Sequence, residues 1–146
     1  MRKVLIVEDD LMLADFVEEI LVEHGYEVSG IARTVAAAVA LAGQSRPDLV
    51  ILDLRLADGG LGTEVAAQLP SVGRSGILYV TGNMSQLALT SADGDACLAK
   101  PYRSVDLLRG LEIVAEIVTT GKAQPPFPRG FHLLHPLAAE SQAFLS

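Results

Sequence analysis

The sequence predicts an α/β protein built on an open, doubly wound parallel sheet. Three runs of four residues are apolar at every position and rich in β-branched side chains: 4–7, 49–52 and 77–80. Such runs suit strands that are buried on both faces, as in parallel sheets covered by helices. Helical patterns separate the strand patterns along the chain. Right-handed crossovers between parallel strands would then place helices on both faces of the sheet.

Strand and helix patterns alternate regularly as far as residue 118. Strands are predicted at 4–7, 28–31, 49–52, 77–80 and 96–99, and helices at 11–24, 34–44, 61–69, 83–90 and 104–118. The helix over 83–90 has the weakest pattern, because Gly82, Gly94 and small polar residues surround it. Five strands in this alternation favour the flavodoxin-like order 2-1-3-4-5, in which ligands bind beyond the carboxyl ends of the strands.

The last helix should end at Gly121, which divides the chain into a domain over 1–120 and an extension over 121–146. Prolines within 125–128 predict a stiff, extended spacer. The remainder of the extension is too short for an independent domain but carries six large apolar side chains: Phe131, Leu133, Leu134, Leu137, Phe144 and Leu145. We therefore expect it to dock on the last helix or on a second subunit, so that a homodimer is one arrangement it allows.

Composition excludes several classes of function. The 146 residues carry a net charge of −7 at pH 7, with a pI near 4.8, so neither nucleic acid nor an anionic membrane is expected as a partner. A single cysteine excludes an intrachain disulfide and a cysteine-based zinc cage. The four apolar residues at 4–7 are too few for a signal peptide, and no apolar run reaches membrane-spanning length. We expect a soluble, cytoplasmic protein.

Polar residues follow four of the predicted strands and should meet at one edge of the sheet. They are Glu8-Asp9-Asp10, Asp53, Thr81 and Lys100-Pro101. Each has an ordinary structural explanation: Asp10 or Asp9 as a helix cap, Asp53 as an acceptor for loop amides, Thr81 as a strand end and Lys100 as a solvated cation. Together they predict a site, because crowded carboxylates repel one another unless a cation intervenes. Oxygen ligands without nearby His or Cys favour a hard ion such as Mg²⁺.

These residues give the chain a resemblance to the receiver domains of two-component response regulators, over about residues 2–120. The resemblance rests on Val-Leu-Ile-Val-Glu-Asp-Asp at 4–10, Asp-Leu-Val-Ile-Leu-Asp at 48–53 with Asp58-Gly59 following, Tyr-Val-Thr-Gly at 79–82, and Lys100-Pro101. The Thr81-Gly82 step and the loop over 58–62 further resemble stand-alone receivers common in alphaproteobacteria. Those receivers are partners of HWE-type histidine kinases.

The resemblance implies a metal site and a phosphoacceptor. Asp53 would be the carboxylate that attacks phosphohistidine to form an acyl phosphate. Asp9, Asp53 and the backbone carbonyl of Arg55 would hold Mg²⁺, while Glu8 would act mainly through water.

The resemblance also implies contacts to the phosphoryl group. Lys100 would place a point charge against its oxygens, and Thr81 and the amide of Gly82 would donate hydrogen bonds to them. The expected protein is a single-domain response regulator that receives a phosphoryl group from a histidine kinase or a phosphotransfer protein. It would signal by binding an unknown downstream protein.

The chain departs from the family pattern at several positions. Ala57 replaces the usual proline after the acceptor, so the acceptor loop is expected to be less stiff. Arg55 and Asn83 occupy the variable positions that govern how water reaches an acyl phosphate. Cys97 stands where a switch aromatic is common, and Tyr102 is a candidate rim aromatic in its place. Because Cys97 has no ring to turn, we expect phosphorylation chiefly to order residues 82–94.

Three other functions compete with this prediction. An aspartyl-phosphate phosphatase or phosphotransferase of the haloacid-dehalogenase pattern would need a second Asp where Arg55 stands. A flavin or nucleotide binder would need a Gly-rich turn where Glu8-Asp9-Asp10 would repel a phosphate. A receiver-like scaffold without phosphorylation would have no need of the retained acids and Lys100. We therefore expect no enzymatic activity beyond the protein's own phosphorylation and dephosphorylation.

Overall fold

The computed structural model of the chain describes residues 1–69, 74–82 and 89–134. The strands in these residues are β1 (Lys3–Val7), β2 (Glu27–Ala32), β3 (Leu49–Asp53), β4 (Gly76–Thr81), β5 (Ala96–Ala99) and β6 (Phe131–Leu133). The helices are α1 (Leu11–Glu23), α2 (Val35–Ser45), α3 (Gly62–Gln68) and α4 (Ser104–Thr120). No helix in these three ranges is both long and apolar enough to cross a bilayer.

The strands form one sheet in the order β2-β1-β3-β4-β5-β6, and the first five are parallel. The predicted flavodoxin-like fold with the order 2-1-3-4-5 is confirmed. Alternate side chains of β1 enter two cores: Val4 and Ile6 pack with α1 and α4, whereas Leu5 and Val7 pack with α2 and α3. Burial on both faces explains why this strand is apolar at every position.

Local signals fix the helix ends much as the sequence predicted. The carboxylate of Asp10 accepts hydrogen bonds from the amides of Met12 and Leu13 at 3.1 and 3.2 Å, so Asp10 caps α1. Thr34 caps α2. Gly121 ends α4 with φ +77°, a conformation that glycine adopts without strain. Six of the eight positions of the predicted helix over 83–90, residues 83–88, lie outside the described part of the chain.

The sixth strand was not predicted, and it comes from the extension. β6 runs antiparallel to β5, with Phe131 opposite Leu98. Its Phe131 ring is 8% exposed and stacks on Phe127 with the centroids 5.9 Å apart. Arg109 of α4 holds the preceding segment by donating to the carbonyls of Gln124 and Pro126 at 2.8 and 3.0 Å. The boundary at residue 120 stays a prediction, but residues 131–133 belong to the same sheet as the body.

We predict that Phe131→Ala lowers the free energy of unfolding by about 2–3 kcal/mol, because it removes a buried ring and leaves a cavity over α4. His132→Ala, in the same strand but with an exposed side chain, is the matched control and should change it by less than about 0.5 kcal/mol. Urea denaturation measures both. Equal stability of the two variants would show that β6 contributes nothing to the fold.

Candidate functional site

Three carboxylates meet at the carboxyl edge of the sheet. Glu8 and Asp9 directly follow β1, and Asp53 ends β3, the neighbouring strand. One oxygen from each lies within 4.8 Å of the others. Glu8 is only 4% exposed, whereas Asp9 and Asp53 are half-buried. The structure therefore brings together the three acidic side chains that the sequence predicted as a metal site.

Lys100 supplies the positive charge of this cluster. Its Nζ lies 2.9 Å from Oε1 of Glu8 and 3.3 Å from Oδ2 of Asp53. Its backbone amide donates to the carbonyl of Thr81 at 2.8 Å, which fixes the end of β5 against the end of β4. One ammonium group therefore bridges the acids of two strands.

Burial and neighbouring charges shift the pKa values of Glu8, Asp9 and Lys100. Burial raises the pKa of Glu8, and the nearby Asp53 raises it further, although Lys100 opposes both effects. Burial and the neighbouring Glu8 raise the pKa of Asp9. Burial alone would lower the pKa of Lys100, but the hydrogen bond to Glu8 and the charges of Asp53 and Glu8 outweigh it and raise that pKa. Lys100 is therefore held in its charged form, while Glu8 and Asp9 resist losing their protons.

The other predicted site residues lie around this cluster. Thr81 is 6% exposed at the end of β4, and Gly82, the next residue, is exposed. Arg55 lies two residues after Asp53 in the loop before α3, where it pairs with Leu61 in an antiparallel bridge. Asn83 lies outside the described residues.

The loop after Asp53 is shaped by close backbone contacts. The amide of Gly62 donates to the carbonyl of Leu54 at 2.8 Å, and that of Leu56 donates to the carbonyl of Gly60 at 3.0 Å. A Cβ at Gly62 would collide with the carbonyl oxygen of Asp53. Sequence reasoning did not single out Gly62 for this role, although its place in a glycine-rich run before a helix was the available signal.

Ala57 has a backbone role that proline could not take. Its amide donates to the carbonyl of Arg33 at 3.1 Å, and the Nε of Arg33 donates to the carbonyl of Asp9 at 3.3 Å. The loops after β1, β2 and β3 are thereby joined around the carboxylates. The expectation of a less stiff loop stays a prediction, but the position of Ala57 is tied by a bond that proline would remove.

Cys97 is a buried core residue, as expected for a small strand side chain. It lies opposite Tyr79 in the pairing of β4 with β5, and both belong to the core against α2 and α3. The Tyr79 hydroxyl donates to the carbonyl of Asp93 at 2.8 Å. A fully buried and anchored aromatic ring therefore stands on β4 beside the position that lacks one on β5.

Tyr102 lies at the rim of the site. It is half-buried, and burial together with the charges of Glu8 and Asp53 raises its pKa to about 12. A cavity of about 320 Å³ lies beside it, lined by Leu13, Phe16, Lys100, Pro101 and Tyr102. The Tyr102 ring is therefore close enough to sense the charge of the carboxylate cluster.

Comparison with known proteins identifies this arrangement. The family model of the response regulator receiver domain matches residues 4–120. The chain belongs to the response regulator receiver family. Receiver domains are signalling modules that typically bind Mg²⁺ in an acidic pocket, and the oxygen-only donor set of Glu8, Asp9 and Asp53 fits such an ion.

Relatives of this receiver come from several bacteria. It is 34% identical to the transcriptional regulatory protein PdtaR of Mycobacterium tuberculosis over 116 residues, which cover 77% of this chain and 56% of that protein. It is 30% identical to the phyllosphere-induced regulator PhyR of Methylorubrum extorquens over 107 residues, which cover 72% of this chain and 40% of that protein. The chain thus spans about half the length of the curated relatives it matches.

Solved structures agree with the family. A CheY-like receiver domain from Methanospirillum hungatei superposes with a TM-score of 0.71 at 27% identity, covering 83% of this chain and 98% of that one. A PhyR anti-anti-sigma factor variant from Bartonella quintana superposes with a TM-score of 0.69 at 25% identity, covering 82% of this chain and 50% of that one.

We predict that the metal-free receiver loses stability as the pH rises above 4.5, the ordinary pKa of a glutamate side chain. Glu8 binds its proton more tightly in the folded state, so its contribution is fully present below that value and is lost as the pH rises through the raised pKa. Glu8→Gln should flatten this loss, measured as the free energy of unfolding at about pH 5.5 and about pH 7.5. Glu19→Gln, on the exposed side of α1, is the control. A loss of equal size in all three proteins would assign it to other groups.

Proposed function

We propose that this receiver accepts a phosphoryl group on Asp53 from a histidine kinase or a phosphotransfer protein, in an Mg²⁺-dependent reaction, and signals by binding another protein. One observation carries the proposal: Asp53 shares the 4.8 Å carboxylate cluster with Glu8 and Asp9, and its Oδ2 lies 3.3 Å from Nζ of Lys100. The acceptor oxygen is therefore flanked by oxygen ligands for a cation and by a fixed ammonium group.

The reaction needs a nucleophile and the neutralisation of charge. An oxygen of Asp53 would form a bond to phosphorus while the bond from phosphorus to the donor histidine nitrogen breaks, and the electron pair of that bond returns to the imidazole. Asp9, Asp53 and the backbone carbonyl of Arg55 would hold Mg²⁺, with Glu8 acting mainly through water. The ion would offset the charge that the phosphoryl oxygens bring to an acidic edge.

The other residues would bind the transferred group. Lys100 is already charged, and the hydrogen bond from its backbone amide to the Thr81 carbonyl positions it, so its Nζ would exchange a carboxylate oxygen for a phosphoryl oxygen. The Thr81 hydroxyl and the Gly82 amide would donate to the same group. Arg55 and Asn83 would control how water reaches the acyl phosphate.

The partners follow from the family and the charge. A receiver implies a histidine kinase or a phosphotransfer protein as donor, and the resemblance of the Thr81-Gly82 step to stand-alone receivers supports a donor of the HWE type. The acidic chain argues against direct nucleic-acid binding, even though PdtaR is named a transcriptional regulatory protein. We propose that the protein acts in the cytoplasm through a protein target, with no catalytic activity beyond its own phosphorylation and dephosphorylation.

Incubation with a small phosphodonor and Mg²⁺ should add the mass of one phosphoryl group to the intact protein, because Asp53 has both a cation site and Lys100 beside it. Asp53→Asn should remain unmodified. Exposed Asp15→Asn on α1 is the matched control and should be modified like the parent. Release of phosphate without a modified protein would favour an enzyme, and no reaction at all would favour a phosphorylation-independent scaffold.

Mg²⁺ should raise the melting temperature more than a monovalent salt of equal ionic strength, because a divalent ion relieves the repulsion among Glu8, Asp9 and Asp53 directly. Asp53→Asn should remain folded and gain less from the ion. Equal melting temperatures with and without millimolar Mg²⁺ would count against the metal site.

A further inference from the structure

Strand β6 covers the outer edge of β5 close to Lys100, and it is held by a short pairing. Three residues pair with 96–98. Two flanking hydrogen bonds close the pairing, from the Ala99 amide to the Gly130 carbonyl at 2.9 Å and from the Leu134 amide to the Asp95 carbonyl at 3.0 Å. With so few backbone bonds, the cost of opening this edge segment comes mainly from the burial of Phe131, and it stays below the cost of unfolding the whole domain.

The side chains of β6 alternate between buried and exposed along the edge of β5. Phe131 is buried and Leu133 is partly buried on the same core, whereas His132 between them is exposed. The Phe131 ring lies over Gly110 of α4, where a Cβ would come within 3.5 Å of it. The edge thus accepts an aromatic residue and, two positions later, an aliphatic one. Sheet edges bind extended peptides in this way: hydrogen bonds join the two backbones, and pockets receive every second side chain of the peptide.

The hydrogen bond that anchors the start of β6 comes from the residue next to Lys100 of the proposed phosphoacceptor site. Consecutive amides of the chain point in opposite directions: Lys100 N–H donates to Thr81 of β4 and Ala99 N–H donates to Gly130. Gly130 has φ +77°, and a Cβ there would lie 3.2 Å from Cβ of Ala99, so the turn is tight. A shift of Lys100 and Thr81 toward a phosphoryl group therefore reaches the start of β6 through one peptide unit.

We infer that the edge of β5 is a strand-accepting surface that β6 fills in the unphosphorylated chain, and that phosphorylation of Asp53 loosens β6 so that an extended apolar segment of a partner protein can replace it. This inference rests on the proposed function of Asp53. It adds the surface that the signal exposes and the aromatic-x-aliphatic pattern of the segment that binds there.

Amide hydrogen exchange of the full chain with Mg²⁺, with and without beryllofluoride as the phosphoryl mimic, tests the release of β6. The amides of Ala99 and Leu134 should exchange about tenfold faster or more in the complex. The Asp48 amide, which donates to Lys3 far from β6, should not change. Asp53→Asn, which removes the acceptor, should show no response at any of them.

A labelled peptide with the sequence of residues 128–134 tests the surface itself. It should bind the full chain at millimolar concentration only when beryllofluoride is present, and a peptide with Ala in place of Phe131 should not bind. In the chain carrying Phe131→Ala, the parent peptide should bind about fivefold more tightly than in the chain carrying His132→Ala, because the competing strand is weakened.

The outcomes separate the two proposals. If beryllofluoride does not bind, the function proposed for Asp53 and this inference both fail. If it binds but the exchange of Ala99 and Leu134 is unchanged, or increases at Ala99 alone, β6 stays in place and the inference fails by itself. Faster exchange at both amides without peptide binding would also overturn the strand-accepting surface.

Discussion

Repulsion among three carboxylates is the constraint on which the rest of this receiver depends. Glu8, Asp9 and Asp53 can share a 4.8 Å cluster because β1 and β3 are neighbours at the centre of the sheet. The charge of Lys100 reaches them from β5, two strands beyond β3. The strand order therefore brings opposite charges together from residues 92 positions apart in the chain.

Hydrogen bonds join the loops around the cluster, and one of them comes from Ala57, where the family usually has proline. Ala57 and Arg33 join the loops after β3 and β2, and Arg33 also binds the carbonyl of Asp9. Gly62 lets α3 begin directly against the carbonyl of Asp53. Each bond is modest in energy, but together they limit where the acceptor carboxylate can lie.

Much of this arrangement could be predicted from the sequence, because buried parallel strands carry a continuous apolar signal and their carboxyl ends share an edge. The cap at Asp10 and the stop at Gly121 were equally local signals. β6 was missed because three residues are too few for a periodic pattern, and its pairing depends on the open edge of β5. The roles of Tyr79 and Ala57 were missed for a similar reason, since both depend on atoms distant in sequence.

The short connection between α4 and β6 makes this strand a tethered ligand. Only residues 121–130 separate the two elements, and Arg109 holds part of that connection at Gln124 and Pro126. A segment on so short a tether has an effective concentration in the millimolar range. Any free strand that binds the β5 edge must overcome this local excess. The strength of the Arg109 contacts would therefore affect the concentration at which a partner segment replaces β6 on the edge of β5.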